Sequence, residues 1–130
     1  AHECPANLYP VHANAISIIT HVLRPRQVEK YFILYPNPYP KTVDLNKRWY
    51  AMPFTRQLLN RLKDGGEIEL ATNELFYSQQ AKTYFTEVWG LRCREQRTLF
   101  ARTSITPRTH FEKKYLERKQ PCYNLVFTKG

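Results

Sequence analysis

Glycine and long apolar runs are both scarce in this chain of 130 residues. The four glycines, at positions 65, 66, 90 and 130, form neither a P-loop nor a Gly-x-Gly turn. Those two patterns bring backbone amides beneath a bound phosphate, so the sequence predicts no glycine-rich nucleotide loop here. No apolar run approaches the ~20 residues that cross a bilayer, and residues 1–5 lack the features of a signal peptide. With 42% hydrophobic residues, the chain is expected to fold as a domain outside the membrane.

Cysteine, histidine and methionine are also too few or too scattered to indicate a site. The three cysteines, Cys4, Cys93 and Cys122, are odd in number and widely spaced. They are typical of reduced thiols in a cytoplasmic protein rather than of a disulfide framework or a zinc site. The four histidines show no metal-ligand spacing. Because Met52 is the only methionine, Ala1 is not an initiator, and we expect that sequence upstream of it was removed or left out.

Positive charge, in contrast, is abundant and concentrated in the last third of the chain. The net charge is +9, and residues 92–130 hold ten basic and three acidic residues. Phe100, Phe111 and Tyr115 lie among them. A basic surface beside aromatic rings favours RNA, because phosphates attract the cations and exposed bases stack on the rings. The alternative is a surface that only keeps the protein in solution.

Apolar patterning predicts alternating strands and helices. Pro53 suits the first turn of a helix, residues 64–66 (Asp-Gly-Gly) its end, and Asn73 the N-cap of the next helix. Trp49 and Trp89 are expected in the core rather than as stacking platforms. The predicted strands are residues 7–13, 31–35, 67–72, 91–100 and 123–127, and the predicted helices are 16–23, 53–63 and 73–89. This order indicates an α/β fold with parallel strands and an antiparallel edge strand.

A proline-framed loop follows the strand at 31–35. Its residues 36–41 read Pro-Asn-Pro-Tyr-Pro-Lys. Proline has no amide hydrogen and a fixed φ, so the three prolines end the strand and stiffen the loop. Ligands of open α/β sheets bind beyond the carboxyl ends of strands, which is where Asn37 would lie. The alternative is an ordinary surface turn.

Three segments together resemble the C-terminal half of the bacterial tRNA (guanine-N7) methyltransferase family. The first is the proline loop with the basic run at 46–48, which is similar to the family's Pro-Asp-Pro-Trp segment. The second is residues 64–73, which are similar to its glycine turn, strand and Ala-Thr-Asp. The third is Thr109-His110-Phe111-Glu112 with the strand at 123–127, similar to its Thr-x-x-Glu and closing strand. Their order and spacing cover nearly the whole chain.

The resemblance implies a Rossmann-like class I fold, S-adenosylmethionine as cofactor, and methyl transfer to a base in tRNA or another structured RNA. Asn37 would be the catalytic residue and would also contact the cofactor. The other cofactor-binding residues implied by the resemblance are Ala13, Asn14 and Ala15. The substrate-binding residues implied by it are Tyr39, Lys41, Asn73, Arg108, Thr109 and Glu112.

The chain departs from this family at three carboxylates, which are replaced by Asn14, Asn37 and Asn73. An amide donates and accepts hydrogen bonds but is not a base at neutral pH. Transfer to a ring nitrogen needs mainly positioning and electrostatics, so asparagine can serve there. An exocyclic amine is an equally open target. The alternative function is a catalytically inactive, methyltransferase-like protein that binds RNA or another partner.

The second departure is that the family's first two strands and its glycine-rich loop have no counterpart here. Residues 1–130 are therefore expected to form one partial domain. The absent first strand would lie beside the strand at 31–35, leaving that edge unpaired, and unpaired buried amides cost ~1–3 kcal/mol each. An upstream segment or a second copy of the chain is expected to complete the sheet.

Overall fold

The computed structural model describes residues 13–100, 110–117 and 120–130. The predicted strand at 7–13 therefore lies almost wholly outside the described residues. The helices are α1 Ala15–His21, α2 Thr55–Arg61, α3 Leu75–Thr83 and α4 His110–Glu117. A 3₁₀ helix spans Thr42–Lys47, and a π-helical turn at Tyr84–Val88 extends α3. The strands are β1 Val28–Leu34, β2 Leu62–Thr72, β3 Arg92–Leu99 and β4 Cys122–Thr128.

The four strands form one mixed sheet in the order β1-β2-β4-β3. β1 and β2 are parallel, as expected for strands joined by a crossover containing α2. β4 runs antiparallel to β2 and to β3, which forms an antiparallel edge. The α/β fold class predicted from the sequence is thereby confirmed.

The core lies on the sheet face that the alternating apolar residues of β2 and β4 supply. Ile68 pairs with Phe127 and Leu70 with Leu125, so the four side chains share one face. All four are fully buried, and α3 covers them. On α3 and the π-helical turn, Tyr77, Ala81 and Phe85 are fully buried against the sheet, whereas Val88 is 61% exposed.

Two predicted helix boundaries are wrong. Asn73 is not the N-cap of α3, which is Glu74; the hydroxyl of Thr72 accepts a hydrogen bond from the Glu74 amide (3.1 Å). Residues 64–66 do not end α2, because the chain enters β2 directly after Arg61. Instead, Gly65, at φ +79°, forms part of an irregularity in the pairing of β1 with β2.

The end of α2 is completed from a distant part of the chain. Lys129 donates from Nζ to the carbonyl oxygens of Leu59 and Leu62, both at 2.7 Å. The backbone of Lys129 also pairs with Gly65 and Gly66. A cation on the last carbonyls of a helix satisfies their hydrogen bonds and opposes the negative end of the helix dipole.

β1 has β2 as its strand neighbour on one side and no strand on the other within the described residues. This is the edge predicted to lack its partner. An apolar pocket of about 290 Å³, lined partly by Ile19, Tyr31 and Leu58, lies along β1. What completes this edge stays a prediction. No helix in the described part of the chain has both the length and the apolar run that a membrane crossing requires.

Candidate active site at the carboxyl end of the sheet

β1 and β2 end side by side, and this fixes the start of the proline loop. Leu34 pairs with Ala71, and the amide of Tyr35 donates to the Ala71 carbonyl at 2.7 Å. Tyr35 then adopts φ +52°, a left-handed conformation uncommon outside glycine. The chain therefore turns sharply at the carboxyl edge, where open α/β sheets bind ligands.

Asn37 is held by a turn within the loop itself. Its Oδ1 accepts a hydrogen bond from the amide of Tyr39 at 3.1 Å, and Tyr39 has φ +44°. This Asx turn is a common way for asparagine to fix a short loop. One acceptor position of the Asn37 amide is thus occupied, whereas its Nδ2 donates no hydrogen bond within the described residues.

A cleft of about 590 Å³ opens beside the loop. Its volume lies within the range typical of small-molecule sites. Lys47 Nζ lies 5.5 Å from the centroid of the Tyr39 ring, which places a cation beside an aromatic wall. Trp49 packs against the core as predicted and also lines this cleft. The lining residues are Ile16, Asn37, Tyr39, Asn46, Lys47, Trp49, Met52, Pro53 and Phe54.

Glu112 lies behind the loop rather than in the cleft. It is fully buried, and its Oε2 accepts a hydrogen bond from the hydroxyl of Tyr35 at 2.6 Å. The ring of Tyr115, one turn further along α4, lies 5.5 Å from the Tyr35 ring. α4 is therefore attached to the residue from which the loop starts.

Burial dominates the electrostatics of this cluster. Desolvation, followed by hydrogen bonds with Cys122 and Glu112, raises the pKa of Tyr35 far above its ordinary value. Burial also raises the pKa of the Cys122 thiol, although the Tyr35 hydrogen bond opposes this effect. Both groups are held neutral at physiological pH, so neither provides a base or a thiolate nucleophile there.

The structure brings only some of the predicted site residues together. Asn37 and Tyr39 share the cleft. Asn73 follows β2 and donates from Nδ2 to Gln120 at 3.4 Å, outside the cleft lining. Asn14 caps α1 by accepting from the Ile16 amide at 2.9 Å, and it is exposed together with Ala13, Ala15 and Lys41. Arg108 and Thr109 lie outside the described residues.

Sequence reasoning missed Arg48, a buried residue that is only 4% exposed and contacts the loop. Nε and Nη2 donate to the carbonyl oxygen of Tyr39 at 3.1 and 2.9 Å. The sequence offered only the basic run at 46–48, in which nothing distinguishes a buried arginine from an exposed lysine. Within the described residues, no group of histidine, cysteine or acidic side chains could hold a metal ion.

Comparison with known proteins finds relatives that share one name. A tRNA (guanine-N(7)-)-methyltransferase of Mycobacterium leprae is 28% identical over 124 residues, 95% of this chain and 54% of the relative. A protein of the same name from Burkholderia lata is 28% identical over 127 residues, 95% of this chain and 48% of the relative. The chain thus spans about half the length of these curated relatives.

Solved structures support the fold. A SAM-dependent methyltransferase from Archaeoglobus fulgidus aligns with TM-score 0.55 and 12% identity, over 97% of this chain and 70% of that chain. An antibiotic-related methyltransferase aligns with TM-score 0.55 and 15% identity, over 80% of this chain and 53% of that chain. The sequence model of the family described as "Putative methyltransferase" matches residues 1–125. The chain therefore belongs to this methyltransferase family.

Proposed function

We propose that this chain is the C-terminal part of an enzyme that transfers a methyl group from S-adenosylmethionine to a base in RNA. The observation that carries the proposal is the cleft beside Asn37 and Tyr39, at the carboxyl end of parallel strands in a methyltransferase-family chain. The names of the two tRNA (guanine-N(7)-)-methyltransferase relatives make guanine N7 of tRNA the preferred target.

The residues present fit part of such a cofactor. The cleft offers aromatic and apolar walls for a nucleoside. At its edge lies the Nδ2 of Asn37, which donates no hydrogen bond within the part of the chain that the structure describes. Ala13, Asn14 and Ala15 are exposed, which leaves them accessible to the adenosine part. When bound, S-adenosylmethionine supplies an electrophilic methyl group on sulfonium. The methionine part would need contacts from outside this chain's described residues.

The role of this chain's own residues is positioning rather than proton transfer. Guanine N7 carries a free lone pair, so the acceptor needs no base before it attacks. Asn37 can orient a base through Nδ2, the Tyr39 ring can stack against a base, and the Lys47 ammonium beside that ring favours a phosphate. Asparagine in place of a carboxylate is compatible with this chemistry.

RNA as the partner is supported by charge. Seven of the nine excess positive charges fall within residues 92–130. On α4, Lys113 and Lys114 are exposed, while Glu112 is turned inward. Exposed lysines release counterions when they meet phosphates, which favours RNA binding without base specificity. An RNA substrate and reduced thiols also favour the cytoplasm, which stays a prediction.

The proposal is tested by measuring transfer of labelled methyl groups from S-adenosylmethionine to tRNA by the full-length protein, with calorimetric titration of the cofactor in parallel. We expect binding and transfer, and a loss of roughly 10–100-fold in rate for Asn37→Ala because misplacement of a reacting group costs about that much. Asn60→Ala, the same change on an exposed position of α2, is the control and should keep the parent rate.

The second candidate is a catalytically inactive RNA-binding protein. Two observations favour it: Asn37 carries no charge, and the Glu112 carboxylate is buried against Tyr35 instead of facing the cleft. A flat calorimetric trace, together with retained tRNA binding, would establish this function and reject the first. Cofactor binding with methyl transfer would reject the second.

A further inference from the structure

We infer that Arg48 is a positioning residue that fixes Asn37 through the backbone of Tyr39. The proposed function depends on where the Asn37 amide points. That amide is held by the Tyr39 N–H (3.1 Å), and the carbonyl of the same residue is held by Arg48. Arg48 itself does not line the cleft, so it acts without touching a ligand there.

Three of the four hydrogen bonds that the guanidinium makes within the described residues go to the loop. Nε and Nη2 converge on the Tyr39 carbonyl oxygen at 3.1 and 2.9 Å, and Nη2 also lies 3.5 Å from the carbonyl oxygen of Lys41. Two converging donors restrict both the position and the direction of that carbonyl. Within the described residues Arg48 forms no ion pair, so neutral oxygens of the loop and of one side chain solvate its charge.

The other side of Arg48 is anchored in the core. Nη1 donates to Oε1 of Gln80 at 2.6 Å, and the same oxygen accepts from the hydroxyl of buried Tyr50 at 2.8 Å. The Phe76 ring lies 5.4 Å from the guanidinium carbon. Because Gln80 and Phe76 belong to α3, Arg48 connects a rigid helix to the loop that carries Asn37.

The loop needs such an anchor because it has few ways to fix itself. Pro36, Pro38 and Pro40 have no amide hydrogen, so alternate residues cannot donate hydrogen bonds. Tyr39, at φ +44°, adopts a left-handed conformation that is unfavourable for a residue with a side chain. The hydrogen bonds from the charged donor Arg48 to the Tyr39 carbonyl oppose this cost, because charge-assisted hydrogen bonds are stronger than neutral ones.

Lysine is not equivalent to arginine at this position. The planar fork of arginine reaches the Tyr39 carbonyl and Gln80 at the same time, whereas one ammonium group cannot reproduce these fixed directions. Arg48→Met keeps much of the apolar stem and removes all the donors. Arg48→Lys keeps the charge, so comparing the two variants separates geometry from charge.

The test measures hydrogen exchange of the Tyr39 amide by NMR in the full-length protein, without any ligand. We expect roughly tenfold faster exchange in Arg48→Met, since tenfold corresponds to about 1.4 kcal/mol of lost protection. Arg48→Lys should give an intermediate value. Arg56→Met, the same change at an exposed site on α2, should exchange like the parent. If Arg48→Met does not fold, hydrogen exchange of the Tyr39 amide is measured in Arg48→Lys and Gln80→Leu instead, and faster exchange than in the parent is expected in both.

The inference also predicts a kinetic pattern, and in this respect it rests on the proposed function. In Arg48→Met, kcat should fall by roughly 10–100-fold, and KM for S-adenosylmethionine should rise by a smaller factor. The reacting base loses the group that orients it, whereas the cofactor loses one contact and keeps the walls of the cleft. Unchanged Tyr39 exchange, or an unchanged kcat in an active enzyme, would overturn the inference. If no form of the protein transfers methyl groups but exchange still accelerates, the proposed function fails and the positioning of the loop by Arg48 stands.

Discussion

At the scale of single residues, the carboxyl end of the sheet depends on polar groups that find partners far away in sequence. Tyr35 and Glu112 are joined by a 2.6 Å hydrogen bond across 77 positions of the chain. Arg48 reaches Gln80 in the same way, across 32 positions. A buried polar group left without its partner costs more than the bond itself contributes, so each such pair is sensitive to removal of one member.

Tyr35→Phe is expected to lower the free energy of unfolding by about 1–3 kcal/mol, because it removes a hydrogen bond from a fully buried carboxylate. Urea denaturation followed by fluorescence measures the change. Tyr123→Phe is the matched control on β4, since its hydroxyl makes no hydrogen bond within the described part of the chain, and it should stay within about 0.5 kcal/mol of the parent. Equal values for the two variants would contradict this role of the Tyr35–Glu112 pair.

At the scale of the elements, the backbone of β2 requires glycine at two adjacent positions for different reasons. Gly65 supplies a backbone conformation, φ +79°, and a side chain there would meet nothing within 4 Å. At Gly66 there is no space for a side chain: a Cβ there would lie 2.8 Å from the carbonyl oxygen of Lys63 and 2.9 Å from that of Glu29. These backbone oxygens belong to paired strands and cannot move aside independently.

Gly66→Ala should therefore destabilise the fold more than Gly65→Ala. We expect a loss of about 1–3 kcal/mol for the overpacked position 66 and about 1–2 kcal/mol for the left-handed position 65. Thermal and urea unfolding of both variants measure which of the two loses more free energy of unfolding. If alanine at position 66 is tolerated better than at position 65, β1 and β2 do not approach as closely there as described.

The sequence predicted some of these elements correctly and others incorrectly. Branched and aromatic runs predicted β1, β2 and β4, since buried strands need little beyond such residues. The Asp-Gly-Gly segment was wrongly predicted to end a helix. Glycine occurs at helix ends and at strand irregularities alike, and only the pairing of β1 with β2 decides between them. Asn73 was also misassigned, because α3 begins one residue later than predicted and its N-cap, Glu74, makes no side-chain capping hydrogen bond.

The candidate site was visible only in part. The position of Asn37 and Tyr39 in a stiff loop after β1 was predictable, because three prolines mark that loop in the sequence. The burial of Glu112 and Arg48 was not predictable, since both are charged and their partners lie on elements that meet only after folding. The assignments of all these residues to ligands stay predictions: Ala13, Asn14, Ala15, Asn37, Tyr39, Lys41, Asn73, Arg108, Thr109 and Glu112.

At the scale of the whole molecule, buried tyrosines link stability to alkaline pH. Burial raises the pKa of Tyr31 to about 12, against an opposing effect of Arg61, and raises that of Tyr50 to about 12. Both hydroxyls donate hydrogen bonds, Tyr31 to the Leu58 carbonyl at 2.8 Å. The folded state therefore keeps these protons at pH values where the unfolded chain, with tyrosine pKa near 10, has lost them.

The free energy of unfolding should be insensitive to these groups below about pH 10 and should fall as the pH rises from about 10 to 12. Urea midpoints measured at intervals across this range test the sign. In Tyr31→Phe the decline should be shallower than in the parent, because one of the linked protons is gone. A parent midpoint that rises or stays constant through this range would show that the tyrosines are not held neutral by the fold.

The Lys129 ammonium that completes α2 sets a limit for anyone who shortens the chain. Deletion of the last two residues would leave the carbonyl oxygens of Leu59 and Leu62 to find water, and would remove the backbone pairing that holds the glycine segment of β2. The smallest useful fragment for crystallisation or spectroscopy therefore retains position 129, and purification tags belong beyond a spacer rather than in its place.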